Sequence, residues 1–80
     1  MGKVYKVKAF WDGEAKVWVA ESVDVPGLCT EAATMELLVK KLEAIMPEML
    51  EANGLLRAGQ SEVHFELTGT ISGIGQVERP

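Results

Sequence analysis

The side chains able to do chemistry are few and scattered. His64 is the single histidine and Cys29 the single cysteine of this 80-residue chain. A histidine acting as a general base needs a nucleophile or an orienting partner within hydrogen-bond reach. No serine or cysteine is placed for that in sequence, and His64 alternates outward beside Glu66, as a solvated imidazole does. Cys29 follows Leu28 in a short apolar stretch, and the expectation is burial as a small hydrophobe rather than a reactive thiol. One histidine and one distant cysteine do not make the N/S set that zinc requires, and the acids lack the alternating spacing and glycine of an EF-hand. Asp12, Glu14, Asp24 and Glu31 fall near strand ends, where a hydrolase keeps paired carboxylates, but turn and surface acids explain them more simply. Gly73-Ile74-Gly75 is followed by no helix that would offer its N-terminus to a phosphate. The expectation is a chain that is not an enzyme, with no catalytic residue, no metal and no cofactor.

Charge points the same way. Lys3, Lys6, Lys8 and Lys16 form the only basic cluster, against 12 acidic residues and a net charge of −4. A phosphate-backbone binder normally presents a basic stripe. An acidic surface suits a basic protein partner, because complementary potentials speed encounter and reject wrong partners. An RNA-binding or vestigial nuclease domain using the lysines is the alternative from another class.

These residues have to be positioned by one small domain. A chain of this size buries only about 60–65% of the surface its unfolded form exposes, so its stability margin is thin and a partner or a second copy adds to it. Apolar content of 48% with 25% charge is that of a globular chain. The apolar runs are too short to span a membrane, and no basic n-region leads into an apolar h-region. One cysteine makes no internal disulfide, so a reducing compartment is expected and the protein is placed in the cytoplasm.

Val4 to Trp11 reads as a strand, Asp12-Gly13 as a hairpin signal, and Lys16 to Glu21 as the returning strand. With a loop of Asp12 to Ala15, Trp11 faces Lys16 and Lys6 faces Glu21. One face then carries Tyr5, Val7, Ala9, Trp11, Trp18 and Ala20, a core face. The other carries Val4, Lys6, Lys8, Phe10, Val17, Val19 and Glu21. Asp24-Val25-Pro26-Gly27 breaks the sheet, and Leu28 to Glu31 gives a short third strand. Thr34 is an N-cap, with Glu36 in the first turn. Met35, Leu38, Val39, Leu42, Ile45, Met46, Met49 and Leu50 then follow helical spacing without a gap. Pro47 inside that stripe predicts a bend rather than a stop. Asn53-Gly54 closes the helix, with Leu55 packing back on its last turn. Ser61 to Thr70 is the last strand, with Val63, Phe65 and Leu67, and Ile71 beyond them, facing the core.

The order β-β-β-α-β makes a two-layer α+β domain. Its mainly antiparallel sheet has strand order 3-2-1-4, with one helix on one face. Residues 1–72 form the domain, and residues 73–80 are expected to be a flexible C-terminal tail. One helix covers one sheet face, so Phe10, Val17 and Val19, flanked by Lys6, Lys8 and Glu21, are the candidate partner or oligomer surface.

Trp18-Val19-Ala20-Glu21-Ser22 followed by Asp24-Val25-Pro26-Gly27-Leu28, then Glu31-Ala32-Ala33-Thr34, resembles the HicB family, the antitoxin half of bacterial toxin–antitoxin pairs. Within that superfamily the chain looks similar to short stand-alone bacterial proteins of unknown function. The resemblance spans residues 4 to 68. Asp24, Pro26, Gly27 and Leu28 are its motif turn. It implies a partial RNase H-like fold without that enzyme's active site. It also implies a partner, the small basic mRNA-cleaving HicA toxin, and assembly into dimers or tetramers. A full HicB carries a C-terminal DNA-binding segment for which this sequence has no room, so DNA binding is not implied. The usual glycine before the helix threonine is Ala33 here, and the helix opens Thr34-Met35-Glu36-Leu37-Leu38. A stand-alone homo-oligomer without a toxin is the alternative reading.

Overall fold

Strict alternation builds β1 (Val4–Asp12). Tyr5, Val7 and Ala9 are buried while Val4, Lys6, Lys8 and Phe10 are exposed. The computed structural model describes residues 3–79. After β1 come β2 (Val17–Glu21), β3 (Cys29–Ala32), the helix α1 (Met35–Ala52) and β4 (His64–Thr70). The sheet order is β3-β2-β1-β4, as the sequence predicts. β1–β2 and β2–β3 are antiparallel, and α1 carries the chain over to β4, which lies parallel to β1.

The hairpin register differs from the expected one. Trp11 faces Trp18 rather than Lys16, and Glu21 faces Lys8 rather than Lys6. The cause is Asp12, which belongs to the strand and not to the loop. Its carboxylate Oδ1 accepts the Glu14 and Ala15 amides at 3.0 and 3.2 Å, and its carbonyl accepts Lys16 N at 2.8 Å. Lys16, at φ 60°, then turns the chain into β2. The slip amounts to one residue on each strand, so every side chain keeps its assigned face. Trp11 and Trp18 become direct cross-strand partners in an edge-to-face pair, with centroids 5.6 Å apart.

The helix stripe fills the inner face. Leu38, Leu42, Met46 and Leu50 recur every fourth residue and are fully buried, packing with Tyr5, Val7, Ala9, Ala20, Val25, Leu28 and Ala32. Thr34 Oγ1 accepts the Leu37 amide at 3.1 Å, as an N-cap does. At the far end Leu55 N donates to Leu50 O at 2.8 Å and Gly54 N to Glu51 O at 3.0 Å, a Schellman closure. That closure needs a residue at positive φ, which Gly54 supplies at 68°. α1 runs through Pro47 as one helix. Leu55 is 40% exposed, and Leu56 packs against the core. β4 begins at His64 rather than Ser61, and Ile71 lies beyond it, exposed.

Cys29 is exposed, which corrects the expectation of burial. Leu28, the last residue of the preceding turn, takes the core position. β3 starts one residue later than expected, and its pairing with Glu21 sends Cys29 to the outer face. Beyond β4, residues 71–79 form no regular element and are exposed throughout. The Cα radius of gyration is 16.0 Å, against about 12 Å for a compact chain of this length. The longest extent, 67 Å against 24 and 19 Å, belongs to a body with a projecting arm.

Candidate protein interface on the uncovered sheet face

The outer face is built in rows across the sheet. Glu31 of β3, Val19 of β2, Phe10 of β1 and Thr70 of β4 make one row, and Cys29, Glu21, Lys8 and Thr68 make the next. Val17 flanks the first row opposite Asp12, and Val4 lies beside His64 at the far end. Phe10 is 43% exposed and Val4 45%, while Val17 and Val19 are half-buried. The structure therefore brings Phe10, Val17 and Val19 together as an apolar strip.

The flanking charges pair differently from the expected scheme. Lys6 Nζ meets Glu66 Oε1 of β4 at 3.0 Å, whereas the expected Lys6–Glu21 pair is replaced by Lys8 facing Glu21. Both members of the Lys6–Glu66 pair remain well exposed, so it contributes at most about 1 kcal/mol. His64 Nε2 lies 3.1 Å from Glu62 Oε2, also at the surface. Among the described residues no group of three His, Cys, Asp or Glu side chains gathers as metal ligands do. No helix among them is long and apolar enough to cross a membrane.

The motif turn has a structural task. β2 leaves the sheet after Glu21, so the ladder ends at Lys8 and the backbone of Lys6 would lose its partner. Two side chains replace the missing strand. Asp24 Oδ2 accepts the Lys6 amide at 2.8 Å, and Ser22 Oγ donates to the Lys6 carbonyl at 2.5 Å. The Asp24 amide in turn donates to Ser22 Oγ at 3.1 Å. Val25 to Leu28 then form a turn with Pro26 and Gly27 at its centre, closed by Leu28 N to Val25 O at 3.1 Å. Gly27 sits at φ 81°, the position where such a turn requires glycine. Val25 and Leu28 enter the core on either side. Asn53 Nδ2 reaches the Pro26 carbonyl at 3.2 Å and the Met49 carbonyl at 2.9 Å, tying the turn to the end of α1. Asp24, Pro26, Gly27 and Leu28 thus hold three elements together.

Sequence reasoning missed Val23, 94% exposed at the crown of this turn. With Lys6, Lys8, Glu21, Ser22 and Leu28 it lines a depression of about 420 Å³ at the edge of the outer face. The available signal was an apolar residue between Ser22 and Asp24, two residue types whose side chains favour bonding to nearby backbone. Glu66, Thr68 and Thr70 also join the face through the β1–β4 pairing, although the candidate surface named from the sequence held only β1 and β2 residues.

Residues 4–73 match a family described as a domain of unknown function, DUF1902. The fold is similar to the crystal structure of a hypothetical protein from the extreme thermophile Thermus thermophilus. That protein is 51% identical in sequence, with a TM-score of 0.77 over 91% of this chain and 100% of that one. No curated protein matches the chain. With nearly its whole length matched, the chain belongs to the DUF1902 family.

Proposed function

We propose that the chain is a non-catalytic, HicB-like protein-binding domain whose contact surface is the outer sheet face. The observation that carries this reading is the Phe10–Val17–Val19 strip, on the face opposite α1, with Phe10 43% exposed. A small domain spends an aromatic residue in the middle of a strand most usefully where a partner covers it. Charge rims the strip at Lys6, Lys8, Glu21, Glu31 and Glu66, giving the polar border that surrounds an apolar contact centre.

The net charge of −4 supports a basic partner, and the resemblance to HicB supports a small basic HicA-type toxin as that partner. The test is co-expression with a small basic reading frame adjacent to the gene, followed by titration calorimetry of the purified pair. Phe10→Glu is expected to weaken binding by about thirty-fold or more, as loss of a central aromatic contact does. The exposed Cys29 thiol lies on the same face and needs no engineering to report on it, so its alkylation should slow in the complex. Binding unaffected by Phe10→Glu, or no binding to the adjacent basic product, removes the corresponding half of the proposal.

A further inference from the structure

Two features are untouched by the outer-face reading. The first is the arm. Residues 71–79 carry Ile71, Ile74 and Val77 at 64, 88 and 76% exposure, and none of them forms a hydrogen bond among the described residues. The second is the edge of the sheet that the arm leaves from. β4 pairs with β1 in unbroken register along one side and, among the described residues, has no strand along the other. Its seven residues include no proline and no lysine, and its one carboxylate, Glu66, is engaged by Lys6 of β1 on the outer face. Little on this strand therefore stops the edge from recruiting another strand. The opposite edge is managed differently: β3 is only four residues long, and Lys41 Nζ bonds the Glu31 carbonyl at 2.6 Å.

The inner side of β4 is also incompletely covered. α1 leans on β3 and β2, which leaves a cleft of about 700 Å³ towards β4. Val39, Met46, Pro47, Phe65 and Leu67 give that cleft its apolar walls. Phe65 and Leu67 are only half-buried although they face the core side.

We propose that the arm of a second copy of this chain fills the β4 edge and its cleft, reciprocally, in a two-fold dimer. β4 and the arm are consecutive, so together they offer one long strand whose first half has a free edge and whose second half has bare apolar side chains. Two such strands running antiparallel about an axis near Ile71 satisfy both halves at once and close the assembly. Alternation puts positions 65, 67, 69, 71 and 77 on the helix side and turns Ile74 to the outer face, so Ile71 and Val77 are the arm side chains that enter the cleft. With Ile71 opposite its own copy, Val77 of the second copy faces Phe65. Gly73 of the second copy then falls opposite Gly69. Gly69 itself has no room for a side chain, because a Cβ there would lie 2.8 Å from Met35 Cε and 3.4 Å from Trp18. The inference is independent of the outer-face reading.

The test is sedimentation velocity of the full chain over a concentration series reaching the high-micromolar range. The wild type is expected to sediment as a dimer. Ile71→Asp with Val77→Asp should convert it to a monomer with an unchanged circular-dichroism melt at low concentration, since both positions are exposed. Phe10→Glu should leave the dimer intact while weakening partner binding, which separates the two readings. In a Cys29→Ser background, Phe65→Cys with Val77→Cys should give an intermolecular disulfide on oxidation. A wild type that stays monomeric at every concentration overturns the inference. So does a dimer lost with Phe10→Glu but not with the arm variant, or a disulfide formed only within one chain.

Discussion

If Ser22 and Asp24 stand in for a strand, removing the Asp24 carboxylate should open the middle of β1. Asp24→Ala takes away a charge-assisted acceptor 2.8 Å from the Lys6 amide. Such bonds contribute about 1.5–3 kcal/mol, and the half-buried setting of Asp24 places the expected loss near the lower end, about 1.5–2 kcal/mol. A domain of 80 residues holds about 4–12 kcal/mol in all, so the change is a substantial fraction. At about 4–8 °C per kcal/mol for a domain of this size, Tm should fall by about 6–16 °C. Asp24→Asn keeps an acceptor oxygen and should lose about 0.5–1 kcal/mol, the charge-assisted part. Lys6→Ala is the control. It removes the exposed ion pair with Glu66 but leaves the amide in place, and should cost no more than about 1 kcal/mol. Ser22 Oγ both donates to the Lys6 carbonyl and accepts from the Asp24 amide. The Ser22→Ala, Asp24→Ala double mutant should therefore depart from additivity by about 0.5 kcal/mol or more. The local readout is hydrogen exchange at the Lys6 amide, protected in the wild type and faster in Asp24→Ala. An unchanged exchange rate at Lys6, or a larger effect from Lys6→Ala than from Asp24→Ala, refutes the surrogate-strand reasoning.

Three further substitutions probe the frame around that turn. Gly27→Ala meets only an ordinary contact, Met49 Cε at 3.6 Å, so its cost comes from forcing φ 81° on a residue with a Cβ. Urea unfolding should register a loss of about 1–2 kcal/mol. Leu42→Ala empties a fully buried position at the centre of the stripe, and should lower the unfolding free energy by about 2–5 kcal/mol, read as a large drop in the urea midpoint. Pro47→Ala should act in the opposite direction. Pro47 is exposed within α1, and restoring its amide lets the Glu43 carbonyl regain a helical bond, for a gain of up to about 3 kcal/mol. A lower Tm for Pro47→Ala would mean that its ring is needed in the cleft beside β4.

What the sequence made legible follows from how locally each feature is encoded. The helix was readable because its period repeats over four turns, and its caps Thr34 and Gly54 are single residues with one conformational task each. The faces of the hairpin were readable despite the wrong register, since a slip of one residue on each strand preserves parity. The register was not, because Asp12 satisfies both a turn and a strand end, and only its hydrogen bonds to Glu14, Ala15 and Lys16 decide between them. Cys29 was misjudged from its apolar character, when the deciding fact was which neighbour began the strand. The Lys6–Glu66 pair joins residues 60 positions apart, and no local pattern announces it. The candidate face was half legible: its β1 and β2 residues alternate within one hairpin, whereas which β4 side chains stand beside them depends on the β1–β4 register, which no local pattern fixes.

The task found for Ser22, Asp24 and Gly27 changes what their recurrence in another sequence would signify. These residues answer a demand of the backbone, a truncated ladder and a tight exit from it, and a chain meeting that demand gains an architecture whatever it binds. Searching with the turn motif will therefore collect proteins that share a scaffold, and sorting them by partner requires a different key. If the outer face is the contact surface, as proposed, that key is the set of side chains at positions 10, 17, 19 and 23.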